Sequence, residues 1–398
     1  MKFYSTTEKN ALIVISLLKA HGVRYVIASP GTTNNALIGS IQKDPFFTIY
    51  SAVDERSAAY MACGLAAETN EPVVISCTGA TASRNYAPGM TEAFYRKLPV
   101  LAITSTQQIG RVGHHVAQVI DRSSIPKDTA KLSVNLPVVK DKEDEWDCEI
   151  KVNRAILELT RHGGGPVHIN LPTTYSKPFT VKESINCRVI NRFYQQDKLP
   201  DIDSKKKVAV FIGSHKNWTE EEIDALEGFC EVYNAVVFCD HTSGYRGKNR
   251  LLFSLAAAQE FLNRSVLQPD LTLHIGEITG DYPLTNMVGK EVWRISDDGE
   301  IRDTFGKLRY VFEMPEIEFF TRLNKQSISK SKNQYYEQCS ALLSNVKKKI
   351  PEVAFSNIWL ASKMASKIPA GSAVHFGILN SLRVWNFYDL PASVSGYS

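Results

Sequence analysis

The stretch PVVISCTGAT, residues 72–81, joins a nearly continuous apolar run to a turn of small residues. The run 73–77 is apolar at successive positions, which predicts a strand buried on both faces. The turn 78–81 opens a segment with helical spacing that extends to Arg96. A strand, a turn and a helix in this order are typical of a parallel sheet covered by helices.

The same alternation continues on both sides of this stretch, in two groups of apolar runs. The first group comprises residues 23–28, 46–51, 72–77, 99–104 and 166–172. The second group comprises residues 208–213, 235–238, 271–276 and 292–296. The sequence therefore predicts an α/β protein with tandem doubly wound parallel-sheet domains.

A chain of 398 residues is too long for one ordinary core. We predict a first domain over residues 1–180, a polar linker over 181–205 and a smaller, Rossmann-like central domain over 206–330. Residues 331–398 are interpreted as a helical connector followed by the first helix and strand of a third domain. We expect that third domain to be incomplete within this sequence.

Composition argues against several classes of protein. The net charge of +4 is spread along the chain, and the lysine run 205–207 abuts a strand, so nucleic-acid binding is not expected. No apolar run reaches the roughly 18 residues of a membrane span, and no signal peptide is recognised. The seven cysteines are widely spaced and odd in number, which favours reduced thiols, a cytoplasmic protein and no zinc site.

Three loops at predicted strand ends carry the candidate chemistry. They are residues 29–34, 54–56 and 78–83, and each precedes a predicted helix. Ligands of open parallel sheets bind at the carboxyl ends of strands, where backbone N–H groups of small residues can approach a ligand. Plain helix capping explains any one loop, whereas three together favour a cleft.

Glu55 is the strongest single candidate. A carboxylate in the first turn of a helix is stabilised by the helix dipole, and Asp54 would suit a capping role equally well. The helix that follows, residues 55–68, is small and apolar, so we expect it to lie deep in the domain. A carboxylate buried there is costly unless a ring nitrogen or a proton donor meets it.

The first 180 or so residues resemble the pyrimidine-binding domain of thiamine-diphosphate-dependent enzymes. The resemblance is carried by residues 29–31, 54–60, 78–81, 92–95, 99–101 and 165–172. Within that family the chain is most similar to acetolactate-synthase-like enzymes and to the menaquinone-pathway 2-succinyl-5-enolpyruvyl-6-hydroxy-3-cyclohexene-1-carboxylate synthases. Residues 54–66 and 377–383 look most like the latter.

The resemblance implies an enzyme that decarboxylates a 2-oxo acid and transfers the carbanion equivalent to an acceptor, or releases an aldehyde. It implies that Glu55 is catalytic, by hydrogen-bonding the aminopyrimidine ring of thiamine diphosphate and promoting its imino tautomer. The cofactor-binding residues implied with Glu55 are Pro30, Gly31, Gly79, Asn85 and Gln118. The candidate substrate-binding residues are Thr32, His114, His115 and Arg122, with a plain surface role left open for the two histidines.

The chain departs from the family in its metal motif. Relatives bind the diphosphate through Mg²⁺ with a Gly-Asp-Gly motif and a later Asn, residue types that suit a hard cation. Residues 297–300 with Asn324 imitate this arrangement, but we interpret them as a strand-end turn and predict no metal ligands in this chain. We expect those ligands outside it, in a truncated part or on a separate polypeptide, and the chain alone to be inactive.

A second departure concerns the substrate. Residues 32–35 stand where the menaquinone-pathway enzymes have an arginine, which argues against isochorismate. Arg84, Arg111 and Arg122 remain as candidate carboxylate binders.

The central domain lacks Gly-x-Gly-x-x-Gly, which argues against a flavin. A homodimer or tetramer is expected, and a catalytically silent protein that serves oligomerisation or regulation is the alternative function.

Overall fold

The computed structural model describes residues 4–174, 178–182, 184–262, 266–326, 331 and 334–398. The chain divides into two compact units, Met1–Val189 (unit 1) and Ile190–Ser398 (unit 2). In the described parts, every helix is too short or too polar to traverse a lipid bilayer. Both units are α/β, as the sequence predicts.

Unit 1 is built on a six-stranded parallel sheet with the order β3-β2-β4-β5-β7-β6, beside an antiparallel pair formed by β1 and β8. Its strands are β1 (Ser5–Thr6), β2 (Tyr25–Ala28), β3 (Thr48–Ser51), β4 (Val73–Cys77), β5 (Val100–Thr106), β6 (Leu132–Asn135), β7 (Val167–Pro172) and β8 (Phe179–Val181). Its α-helices are α1 (Lys9–Ala20), α2 (Asn35–Ile41), α3 (Glu55–Thr69), α4 (Thr81–Asn85), α5 (Ala87–Tyr95) and α6 (Lys142–Glu158).

The continuous apolar character of β4 has a direct structural cause. Val74 packs into a core layer shared with α1, α2 and α6, whereas Val73 and Ile75 pack into the opposite layer with α3 and α5. Successive side chains of a strand point to opposite faces. Because helices cover both faces, every position of β4 is buried and must be apolar or small.

Unit 2 repeats this plan with a seven-stranded parallel sheet in the order β12-β11-β10-β13-β14-β15-β9, and a separate pair formed by β16 and β17. Its strands are β9 (Asn191–Tyr194), β10 (Val208–Ile212), β11 (Val236–Cys239), β12 (Arg250–Leu251), β13 (Leu271–Ile275), β14 (Glu291–Ser296), β15 (Leu308–Glu313), β16 (Ala373–His375) and β17 (Ser395–Tyr397). Its α-helices are α7 (Glu220–Tyr233), α8 (Ser254–Ala257), α9 (Glu316–Gln326), α10 (Tyr335–Lys347), α11 (Asn357–Met364) and α12 (Asn380–Trp385).

Two local features differ from the sequence-based expectation. The helix expected to run from the 78–81 turn to Arg96 is two helices, α4 and α5, which meet at Tyr86. Pro88 lies in the first turn of α5, where a residue without a backbone N–H is tolerated. The stretch 181–205, interpreted as a linker, contains β9, which pairs with β15. The predicted domain boundaries stay a prediction.

Candidate functional site

Four loops of unit 1 begin at the carboxyl ends of β2, β3, β4 and β5, which are neighbours in the sheet in the order β3-β2-β4-β5. Because parallel strands end at the same edge, the predicted loops 29–34, 54–56 and 78–83 lie along one edge. We call this the carboxyl edge of unit 1. The long loop after β5, residues 107–131, starts at the same edge.

Two side chains that follow β2 fix the 29–31 turn. Asn34 is fully buried, and its Oδ1 accepts a hydrogen bond from the Gly31 backbone N at 2.9 Å. Its Nδ2 donates to the Ser29 carbonyl at 3.1 Å. Thr33 Oγ1 donates to the Ser105 carbonyl at 3.0 Å and lies 2.6 Å from Thr78 Oγ1. The turns after β2 and β4 are thereby joined to the end of β5.

Two glycines allow the backbones at this edge to approach closely. A Cβ at Gly31 would lie 2.5 Å from the Cβ of Thr78. A Cβ at Gly79 would lie 2.8 Å from the carbonyl oxygen of Gln118, which is closer than real Cβ contacts. Gly79 is also buried. Any side chain at position 79 would push the Gln118 backbone away, so the loop after β5 depends on this glycine.

Asp54, and not Glu55, caps helix α3. Its Oδ2 accepts hydrogen bonds from the Ser57 backbone N at 2.8 Å and from Ser57 Oγ at 2.6 Å. These hydrogen bonds lower the pKa of Asp54 below its usual value. With capping done by its neighbour, the Glu55 carboxylate makes no hydrogen bond or ion pair with the described residues. Helix capping therefore does not account for Glu55.

Helix α3 is not enclosed on all sides, contrary to expectation. Ala58, Ala62 and Ala66 on one face are buried, whereas Tyr60 and Met61 on the other face are exposed. Glu55 itself is half-buried. The small apolar residues reflect close packing of one face, because α3 lies against α5. They do not reflect complete burial of the helix.

The end of β4 lies within electrostatic reach of Glu55. Burial raises the pKa of the Cys77 thiol to about 12, and the Glu55 carboxylate adds to this shift while the Arg122 guanidinium opposes it. Burial also raises the pKa of Tyr86, again with a contribution from Glu55. The charges of Glu55 and Arg122 therefore both act on Cys77, and that of Glu55 also acts on Tyr86.

The remaining predicted site residues differ in exposure. Pro30, Thr32, His114, His115 and Gln118 are exposed, and Asn85 is half-buried as the last residue of α4. His115 and Gln118 have positive φ angles of 54° and 62°. Arg122 differs from the other three candidate substrate-binding residues, because it is only 3% exposed.

Sequence reasoning missed the side chains that hold Arg122 and close the space beside it. Arg122 Nη2 donates to Asn170 Oδ1 and to the Ser105 carbonyl, each at 3.1 Å. His168 lies two residues before Asn170 on β7 and is 3% exposed. Polar residues at alternate positions of an apolar strand are an available signal, since they point to one face of the sheet.

The metal-like motif of unit 2 is a turn occupied by its own contacts. Asp298 Oδ1 accepts hydrogen bonds from Ser296 Oγ at 2.6 Å and from the Glu300 backbone N at 3.0 Å. Asn324 Nδ2 donates to the Ala225 carbonyl at 2.9 Å. Across the described ranges, no three His, Cys, Asp or Glu side chains converge to hold a metal ion. All seven cysteines are free thiols.

Comparison with known proteins finds one matching family model and several curated relatives. Residues 9–125 match the family model described as the thiamine pyrophosphate enzyme, N-terminal TPP binding domain. The chain is 30% identical over 406 residues to a 2-succinyl-5-enolpyruvyl-6-hydroxy-3-cyclohexene-1-carboxylate synthase from Phocaeicola vulgatus, covering 97% of this chain and 72% of that protein. It is 29% identical to the synthase of the same name from Bacteroides thetaiotaomicron, with the same coverage.

A more distant relative has the same name. The synthase from Christiangramia forsetii is 26% identical over 438 residues, which cover 96% of this chain and 73% of the relative. The similarity therefore extends through both units and not only through the matched N-terminal segment. The chain belongs to the thiamine-diphosphate-dependent enzymes of the acetolactate-synthase-like kind.

Proposed function

We propose that units 1 and 2 are the pyrimidine-binding and central parts of an enzyme that decarboxylates a 2-oxo acid. The carbanion equivalent is transferred to an acceptor or released as an aldehyde. The observation that carries the proposal is Glu55, a half-buried carboxylate at the carboxyl edge with no partner among the described residues. Membership of the family supports thiamine diphosphate as the cofactor.

We assign Glu55 one chemical role, which is to hold a proton. Thiamine diphosphate, when bound, supplies the nucleophilic carbon and the electron sink for decarboxylation. The Glu55 carboxyl group shares a proton with a nitrogen of the aminopyrimidine ring and thereby orients that ring. Asp54 fixes the first turn of α3, so the carboxylate is presented in a defined position without capping the helix itself.

Gly31 and Gly79 let the turns after β2 and β4 pack closely at the edge that carries Glu55, because a Cβ at either position would meet Thr78 or the Gln118 carbonyl oxygen. Gln118 lies against Gly79 through its carbonyl oxygen, and its own side chain is exposed at the same edge. We propose that Pro30, Gly31, Gly79, Asn85 and Gln118 form the wall of the cofactor site.

The diphosphate and Mg²⁺ are proposed to bind residues outside the sequence in hand. Asp298 and Asn324 already have internal partners, which supports this division. The match to the Phocaeicola vulgatus relative covers 72% of that protein, so the relative has further residues that could serve this purpose. We expect the chain to be inactive until those residues are supplied, by the same or a separate polypeptide.

The donor is proposed only as a 2-oxo acid. The relatives are synthases of a cyclohexene carboxylate. Residues 32–35 of this chain contain no arginine for an anionic acceptor, so their acceptor is not carried over. We propose that Thr32, His114 and His115 are available to an incoming substrate because all three are exposed at the carboxyl edge.

A second copy of the chain is the proposed partner. Tyr60 and Met61 on α3 and Tyr95 on α5 are exposed on two helices that pack against each other. Large exposed apolar side chains on adjacent helices favour a protein interface, here a homodimer or a tetramer. The seven free thiols support a cytoplasmic location.

The proposal is tested with the pyrimidine half of the cofactor, 4-amino-5-hydroxymethyl-2-methylpyrimidine. Ligand-observed NMR is used because it detects weak binding to unit 1 without the diphosphate ligands. We expect binding by the wild type and by Glu68→Gln, an exposed carboxylate on the same helix. Glu55→Gln should bind at least about tenfold more weakly, the loss of one hydrogen bond to a charged group. Equal binding by all three proteins would contradict the role of Glu55.

A further inference from the structure

The segment 376–396 of unit 2 is held by two loops that follow strands of the same unit. The loop after β11 contributes His241, and the loop after β13 contributes Asp281. The segment lies close against the first loop, because a Cβ at Gly396 would be 2.6 Å from the carbonyl oxygen of His241. Both loops present a titratable side chain to this segment.

Asn386 fastens the segment to both loops at once. It is fully buried, and its Nδ2 donates to Asp281 Oδ2 at 2.9 Å while its Oδ1 accepts from the His241 backbone N at 3.2 Å. His241 Nε2 lies 3.1 Å from the carbonyl oxygens of Trp385 and Tyr388. A carbonyl oxygen only accepts, so Nε2 carries a hydrogen and donates it. The partners of both titratable groups thus come from α12 and its continuation.

The Asp281 carboxyl group is fully buried and makes no ion pair with the described residues. Its Oδ1 accepts from Ser254 Oγ at 2.6 Å, and its Oδ2 accepts from the neutral amide of Asn386. Burial raises the pKa of Asp281 to about 7, with the nearby Asp240 adding to the shift and Arg383 opposing it. A protonated Asp281 keeps both contacts, because Oδ1–H can donate to Ser254 Oγ while Oδ2 still accepts from Asn386.

His241 is the opposite case, a buried base. Its Nδ1 has no hydrogen-bond partner among the described residues, so a proton added there would be buried and unpaired. Burial lowers the pKa of His241 to about 4, and the positive charges of Arg250 and Arg246 add to the shift. The acidic group that faces it is Asp389, which pairs with Arg250 at 3.4 Å. The ring is therefore neutral while the segment is docked.

Undocking of the segment would expose both groups to water, where pH acts on them in opposite directions. Exposed His241 takes up a proton below its ordinary pKa of 6.5, so acid favours the undocked state. Exposed Asp281 returns towards its ordinary pKa of 3.8 and releases the proton that the docked state holds. Asp281 therefore stabilises docking in acid, and this contribution is lost as the pH rises through about 7.

We propose that His241 and Asp281 form an opposed pair whose effects offset each other, which keeps the segment 376–396 docked from about pH 5.5 to about pH 8. Removal of either group alone turns the contact into a pH-dependent switch, and the two switches have opposite signs. The pair lies in unit 2, and its action is independent of the cofactor site proposed in unit 1.

Hydrogen exchange of peptides from residues 376–396 measures how often the segment undocks, after correction for the intrinsic exchange rate at each pH. In the wild type we expect the undocked fraction to change by no more than about threefold between about pH 5.5 and about pH 8. In Asp281→Asn only the histidine responds, so undocking should be about tenfold more frequent at the acid end. In His241→Gln only the aspartate responds, so undocking should be about thirtyfold more frequent at the alkaline end.

His274→Gln is the matched control, because His274 is also buried in unit 2 but lies on β13 beside Arg294. It should leave the exchange of the segment as flat as in the wild type. A wild type that responds as strongly as either variant would overturn the proposal. So would variants that both stay flat or that both shift in the same direction.

The wild type allows a second measurement that needs no substitution. In a chain labelled with ¹⁵N-histidine, the His241 ring should stay neutral down to about pH 5, because its pKa is about 4. A His241 ring that titrates near its ordinary pKa of 6.5 would overturn the proposal, whether or not the variants fold.

Discussion

The carboxyl edges of the two parallel sheets each bury an arginine, but they treat its charge differently. Arg294 in unit 2 is 1% exposed, and it donates to the Gly276 carbonyl at 3.1 Å and to Glu277 Oε1 at 3.4 Å. Arg122 in unit 1 has carbonyl and amide partners and no ion pair with the described residues. One charge is compensated by a carboxylate within its unit, and the other has only neutral hydrogen-bond partners among the described residues.

The two edges also differ in how closely other atoms approach their glycines. A Cβ at Gly213 would lie only 1.9 Å from the Glu277 carbonyl oxygen, so backbone meets backbone at the end of β10 and β13. In unit 1 a Cβ at Gly31 would lie 2.5 Å from Thr78 Cβ, and one at Gly79 would lie 2.8 Å from the Gln118 carbonyl oxygen. The backbone contact at a glycine is therefore closer at the edge of unit 2 than at the edge of unit 1. The fold alone does not decide which edge binds a ligand.

The two edges share one feature, a buried neutral histidine beside each arginine. The largest expected effect is the loss of folding stability when these histidines are protonated. Burial lowers the pKa of His168 and of His274 to about 3. Between pH 6.5 and 3 the unfolded chain binds more protons than the folded one, so stability is present above pH 6.5 and is lost as the pH falls. Each histidine should account for on the order of 5 kcal/mol over that window.

Hydrogen exchange followed by peptide mass spectrometry measures this loss for each unit separately. We expect His168→Gln to flatten the acid dependence of unit 1 and His274→Gln that of unit 2. The exposed His114→Gln should change neither. An unchanged acid dependence in both buried variants would show that other groups govern acid unfolding.

The second-largest expected effect is the destabilisation caused by replacing one glycine at each edge. Gly213→Ala should destabilise unit 2 by about 3 kcal/mol, because overpacking against backbone cannot be relieved by a side-chain rotation. Gly79→Ala should destabilise unit 1 by about 1–2 kcal/mol, because the Gln118 loop can shift. Urea unfolding measures both costs. Only Gly79→Ala should reduce aminopyrimidine binding, and equal loss of binding in the two variants would contradict a cofactor site at the carboxyl edge of unit 1.

The smallest effect concerns helix caps. Asp54→Ala removes the cap of α3, and Thr219→Ala removes the capping box that Thr219 forms with Glu222 in α7. Each should cost about 1 kcal/mol of unfolding free energy in thermal or urea denaturation. Asp54→Ala should also weaken aminopyrimidine binding, because the first turn that carries Glu55 frays. Thr219→Ala should leave binding unchanged, and equal binding by both variants would separate the cap from the site.

The sequence was sufficient for features that depend on local patterns. Apolar runs such as 73–77 predict strands covered on both faces, and the small residues at 29–31 and 78–81 predict tight turns at one edge. These follow from backbone sterics and from the two-residue repeat of a strand. The candidate residues at these turns accordingly lie along one edge of unit 1.

Other features depend on contacts between distant residues and could not be predicted. The hydrogen bonding of the buried Arg122 guanidinium depends on Asn170, 48 residues away. The strand β9 exists because residues 191–194 pair with β15, more than 100 residues later. The half exposure of Glu55 depends on which face of α3 meets α5, which small residues alone do not specify.

The contact between α3 and α5 has a consequence for tolerance to mutation. A Cβ at Gly89 would lie 2.4 Å from the Cβ of Ala59, and Cys63 Sγ donates to the Gly89 carbonyl at 3.2 Å. The two helices therefore meet with almost no free volume. In a set of variants tested for aminopyrimidine binding, Ala59 and Gly89 should be as intolerant of substitution as Glu55 itself. Two positions without a reactive group would then be essential, because their close contact fixes the orientation of α3, the helix that carries the Glu55 carboxylate.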